Sequence, residues 1–92
     1  MNLDRVIHSP ARLAIMTQLM AVEEADATWL HQQTELSWGN LASHIAKLED
    51  AGYVQVDKQF VGKKPQTMYS LTKNGIKAYK SYRTALLKIL NE

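Results

Sequence analysis

Apolar residues recur three and four positions apart through most of this chain, and two apart in one short stretch, which predicts helices flanking a hairpin. Leu3 to Ile7 reads as a short helical turn. Ser9 is an N-cap residue and Pro10 suits a first helical position. Leu13, Met16, Leu19 and Met20 then follow at helical spacing, with Ile15 and Val22 on an adjoining face, and this helix is expected to end near Glu23. Asp26 caps a second helix, Ala27 to Thr34, with Trp29 and Leu30 inward, and Glu35-Leu36 makes the turn. Ser37 caps a third, from Trp38 to Ala51, with Leu41, Ile45 and Leu48 on one stripe and Ala42 beside it. Gly52 fits a left-handed helix stop.

The period then changes. Tyr53, Val54, Val56, Phe60 and Val61 are β-prone, and positions 54, 56 and 60 share one side. Met68, Tyr69 and Leu71 form the return strand, with Gly62 to Gln66 as the loop between. Thr72 caps a last helix that tolerates Gly75 in its first turn and carries Ile76, Tyr79, Tyr82, Leu86, Leu87, Ile89 and Leu90. The predicted order is α-α-α-β-β-α, mainly α with a small β-hairpin, in a single domain over residues 1–92.

Composition narrows the function. Of the 92 residues, 46% are hydrophobic, enough for a small core, and no apolar run approaches the ~20 residues of a membrane helix. The first dozen residues lack a signal-peptide core, and a cytoplasmic location is the simplest expectation. There is no cysteine, which excludes a disulfide framework, a Cys-based zinc site and thiol redox chemistry. The net charge of +2 is unevenly spread. Residues 1–36 carry two basic and five acidic side chains, residues 37–72 four and three, and residues 73–92 five and one. A field of this kind permits a nucleic-acid face without demanding one.

The helix pair Thr28 to Leu48 reads as a helix-turn-helix. A helix with one apolar stripe docks on its own domain, and a slim polar face opposite can enter the ~12 Å major groove of DNA. Here that face offers Asn40, Ser43, His44 and Lys47, with Ser37 and Trp38 at its start. Asn pairs bidentately with adenine, Ser bonds to many base edges, and Lys reaches guanine or phosphate. Alone, such a face is the ordinary wet side of a surface helix. Lys63 and Lys64 at the hairpin tip raise its significance, because a basic loop beside a recognition helix would reach the backbone or minor groove.

The run Leu36-Ser37-Trp38-Gly39-Asn40-Leu41-Ala42-Ser43-His44-Ile45-Ala46-Lys47-Leu48-Glu49-Asp50-Ala51-Gly52-Tyr53-Val54 resembles the core of small bacterial and archaeal winged-helix regulators related to the MarR and ArsR types. Gly62-Lys63-Lys64-Pro65-Gln66-Thr67-Met68-Tyr69-Ser70-Leu71-Thr72 is similar to the family wing, with Lys where Arg is common. Ile7-His8-Ser9-Pro10-Ala11-Arg12-Leu13 resembles its opening. Glu35 departs from the pattern, standing where the family usually has Gly, and Trp38 is bulkier than expected. The resemblance implies a winged helix-turn-helix transcription factor that dimerises through its first and last helices.

Other chemistries find little support. His8, His31 and His44 are scattered and lack metal-ligand spacing, so neither metal nor cofactor is expected. Glu23, Glu24 and Asp26 read as a charged helix end, and no nucleophile-base pair or phosphate loop marks an enzyme. Leu86, Leu87, Ile89 and Leu90 nearly encircle the end of the last helix, more than so small a domain covers. A two-fold dimer is therefore expected, with Leu86, Leu87 and Leu90, and Tyr79 on the same helix, meeting Leu3, Val6 or the first helix of the partner. The expectation is a homodimeric regulator on double-stranded DNA with an inverted-repeat operator. The alternatives are a winged helix used for protein contact and a regulator with an effector between protomers.

Overall fold

The computed structural model describes residues 2–91. Helix α1 spans Pro10–Ala21, strand β1 Ala25–Asp26, α2 Ala27–Thr34, α3 Trp38–Asp50, β2 Val54–Val61, β3 Lys64–Leu71 and α4 Lys73–Leu90. Each helix starts where a hydroxyl or carboxylate can satisfy a free N–H. Ser9 accepts from the backbone of Arg12, Asp26 from Trp29, Ser37 from Asn40 and Thr72 from Gly75. The N-terminal turn is fixed the same way, by Asp4 accepting from the N–H groups of Val6 and Ile7.

The strands form one antiparallel sheet in the order β1-β3-β2. The four helices and three strands make a winged helix, as expected, with β1 as an addition. Its two residues pair with Tyr69 and Met68. Two residues show no periodicity, so only tertiary contact reveals them. α1 also ends at Ala21 rather than near Glu23, because the chain must straighten to enter β1.

The hairpin is longer than expected. The five-residue loop Gly62 to Gln66 is instead a two-residue turn, with Val61 paired to Lys64 and Phe60 to Pro65. Gly62 has φ +66 while Lys63 stays in the ordinary region, the pattern of a II′ hairpin turn. Pro65 is tolerated because β1 pairs β3 only at Met68 and Tyr69, so Pro65 needs no ladder bond on that side.

The core is contributed by Ile7, Ile15, Met16, Leu19, Ala25, Leu30, Leu41, Ile45, Leu48, Val54 and Tyr82. It thins along the hairpin. Val54 is buried and Val56 half-buried, whereas Phe60, on the same side, is 75% exposed. The outer half of β2 and β3 therefore stands clear of the body as a wing.

One joint ties the middle of the chain to its end. Gly52, at φ +79, closes α3 in a Schellman motif, donating to Glu49 O while Tyr53 donates to Leu48 O. The Tyr53 carbonyl then accepts from Thr72 N at 3.0 Å. Gly75 rests on that carbonyl so closely that a Cβ there would lie 2.1 Å from the oxygen. Gly75 is thus not merely tolerated in the first turn of α4: the packing requires it.

Candidate nucleic-acid interface

α3 buries Leu41, Ile45 and Leu48 and turns its other side to solvent. Asn40, Ser43 and Lys47 are exposed and His44 is half-exposed. Spaced three and four apart, they share one face. Ser37, proposed above as a contact, is occupied by its capping bond at 3.1 Å to Asn40 N, though its side chain is exposed at the helix start.

Trp38 neither packs into the core nor stands free. Its ring stacks on His31 of α2, centroids 3.9 Å apart and planes 11° from parallel, and it remains 53% exposed. This stack bridges the turn between the two helices. Glu35 occupies that turn with φ 58, the left-handed region that favours glycine, and its N–H returns to His31 O. Glu35 therefore holds a backbone conformation that glycine takes without strain.

His44 is held from an element the sequence did not connect with it. The Arg12 Nη1 donates to His44 Nδ1 at 3.1 Å, and the Arg12 Nε donates to the carbonyl of Val6. A guanidinium has no acceptor, so His44 Nδ1 must accept, and the proton of the neutral ring sits on Nε2. Desolvation, then the charges of Arg12 and Lys47, hold the His44 pKa below its ordinary value. The neutral ring is thus a hydrogen-bond donor at its free edge.

Lys63 and Lys64 are exposed at the wing tip. Lys63 lies in the two-residue turn and Lys64 flanks it, paired to Val61. The seven steps along β2, at ~3.3 Å each, carry the turn about 23 Å from Val54. Asp26 anchors the wing's other strand, accepting from Gln66 Nε2 at 3.4 Å. Among the described residues no group of acids and histidines could hold a metal ion, and no helix is long and apolar enough to cross a membrane.

Of the residues expected at a dimer interface, Leu3, Val6, Tyr79 and Leu86 are partly buried against the protein's own core. Leu87 and Leu90 are 42% and 67% exposed. Thr17 of α1 and Tyr79 of α4 join their hydroxyls at 3.0 Å, which fixes the two helices side by side.

A family model described as a winged helix DNA-binding domain matches residues 11–90. The chain is 28% identical over 85 residues to the protein MJ0432 of Methanocaldococcus jannaschii, covering 92% of each. Its structure is similar to that of a transcriptional regulator homologue from Pyrococcus horikoshii, with TM-score 0.89, 28% identity and coverage of 96% of this chain and 87% of that one. The fold is also that of the transcriptional repressor CouR solved on a 23-mer DNA duplex, with TM-score 0.75 at 16% identity, covering 86% of this chain and 55% of that one.

Proposed function

This chain belongs to the family of winged helix DNA-binding domains, and from that premise we propose that it is a sequence-specific regulator of transcription acting on double-stranded DNA as a homodimer. The observation that carries the reading is the face of α3. Its apolar stripe Leu41, Ile45 and Leu48 is spent on the core, which leaves Asn40, Ser43, His44 and Lys47 on one slim side turned to solvent. In this reading α3 lies in the major groove. Asn40 and Ser43 read base edges, and His44 donates from Nε2 to a base or phosphate acceptor. Lys47 neutralises a phosphate or bonds to guanine. Ser37 and Trp38 lie against the backbone at the helix start, and Lys63 and Lys64 carry the wing to the flanking backbone or minor groove. Leu87 and Leu90, backed by Leu3, Val6, Tyr79 and Leu86, support the two-fold contact. Two-fold symmetry then requires an inverted repeat with half-sites about one helical turn apart.

Fluorescence anisotropy against a selected and a scrambled duplex, across a salt series, tests this. Lys63→Ala is expected to weaken both duplexes alike and lower the log-log salt slope by about one unit. Asn40→Ala is expected to erode the preference between them by about 1–3 kcal/mol. If both variants lose only general affinity, direct readout by α3 is wrong.

A further inference from the structure

Arg12 has no part in the reading above, yet its guanidinium is among the most firmly placed cations in the molecule. Two anchors fix its plane: the Val6 carbonyl at Nε and His44 Nδ1 at Nη1. These use two of its five N–H groups. The remaining edge, one N–H on Nη1 and both on Nη2, has no protein acceptor among the described residues. Arg12 lines a cleft of about 400 Å³ together with Arg5, Val6, Lys47, Asp50 and Ala51. Three cations there face one carboxylate. Lys47 belongs to the polar face of α3, so the cleft opens beside that face, walled on its far side by the N-terminal turn.

A purely structural Arg12, bolting the N-terminal turn to α3, would account for its two anchoring bonds. It would not account for the unused edge, or for Arg5 and Lys47 converging on the same cleft. A guanidinium held in its plane presents a two-point fork that matches phosphate oxygens and has little conformational entropy left to lose. We propose that this cleft is a phosphate-binding site, taking a phosphodiester of the bound duplex at the edge of the groove that α3 occupies. Arg12 supplies the fork, and Arg5 and Lys47 supply flanking charge. The footprint on DNA thus extends from α3 and the wing to the start of α1.

This site rests on the DNA-binding reading, and the test separates the two. Binding is measured with duplexes in which single phosphates are replaced, one at a time, by uncharged methylphosphonates. Wild-type protein is expected to lose about tenfold at one or two positions beside the α3 site, in keeping with the loss of a charge-assisted hydrogen bond. Arg5→Gln, at an exposed position that leaves folding intact, and Arg12→Lys, which keeps charge but loses the fork, should each weaken the natural duplex by about fivefold to tenfold. In both variants the penalty at the same phosphate should shrink, and the salt slope of Arg5→Gln should fall by about one unit. If both variants match wild type in affinity and slope while Lys63→Ala loses a unit, DNA binding stands and this site is wrong. If wild type shows no steep salt dependence, the DNA reading fails and the site fails with it. Saturable binding of inorganic phosphate to the free protein, competing with duplex and lost in Arg12→Lys, would make the cleft a free-anion site and overturn the phosphodiester assignment.

Discussion

Two amphipathic helices of this chain, α3 and α4, start on the same kind of hydroxyl cap and finish with opposite surpluses. Ser37 opens one and Thr72 the other, each accepting from the N–H three residues on. α3 hides Leu41, Ile45 and Leu48, and beyond the Trp38 ring at its start what remains outside is small or polar, with Lys47 among it. α4 fully buries only Gly75 and Tyr82, and leaves Ile76, Leu87 and Leu90 substantially exposed among lysines. A strong apolar stripe is therefore not enough to identify a helix's partner. What the domain leaves uncovered is more informative: hydrogen-bonding groups at helical spacing on one helix and apolar surface on the other, the two surfaces that the proposed reading gives to DNA and to a second protomer.

Changes at the shared joint should disturb this contrast most. Gly75→Ala puts a methyl group into the Tyr53 carbonyl, and one of the two helices has to shift. A loss of about 3 kcal/mol in denaturant unfolding is expected. A near-neutral Gly75→Ala would show that α4 is not locked to the end of α3. Next in size is the surplus of α4 itself. Leu87→Ser with Leu90→Ser should weaken self-association by about 100-fold in sedimentation equilibrium, as two interfacial leucines would. The fold of the dilute protein should be unaffected, because both side chains are already exposed. An unchanged association constant would leave that apolar surface without a partner of its own kind.

Tyr53→Phe sharpens the comparison from the α3 side. The Tyr53 hydroxyl donates to Asp4 Oδ2, tying the exit of α3 to the N-terminal turn. Its loss should cost about 1.5 kcal/mol, as for a hydrogen bond to a charged group. That bond, with burial and the Asp4 charge, pushes the Tyr53 pKa from 10.0 up to about 12. The folded state thus holds the phenol proton more tightly than the unfolded chain. Its stabilising contribution is complete below pH 10.0 and fades as pH rises through about 12, a loss that pH-dependent unfolding of Tyr53→Phe should not show. The smallest effect belongs to the turn before α3. Glu35→Gly relieves a left-handed residue and should raise stability by about 0.5–1 kcal/mol in thermal unfolding, leaving α4 untouched.

Local chemistry made much of this fold legible. All four predicted caps hold, because a cap is a contact within three residues and needs no knowledge of the rest of the chain. Gly52 held for the same reason. The wing is longer than its sequence suggests, because Gly62, Lys63, Lys64 and Pro65 look like loop residues. A hairpin that leaves the core behind tolerates them in a ladder. Side parity placed Phe60 with Val54 and Val56 correctly, but parity does not say where the core stops. The candidate site was legible as a face and not as a neighbourhood. Asn40, Ser43, His44 and Lys47 follow from helical spacing. The hold of Arg12 on His44 spans 32 residues, and the stack of Trp38 on His31 depends on the α2–α3 turn, so neither has a local signature.

The Tyr53 carbonyl carries a mechanical consequence. It takes the N–H of Thr72, while the Thr72 hydroxyl donates to Gly52 O and Gly75 sits flush against it. α4 is an 18-residue rod, about 27 Å long, mounted on this pivot by its first turn. A tilt of about 10° there sweeps the free end by roughly 5 Å. The pivot has little slack, so whatever grips the far end of the rod either breaks those contacts or cranks the last turn of α3, where Lys47 stands.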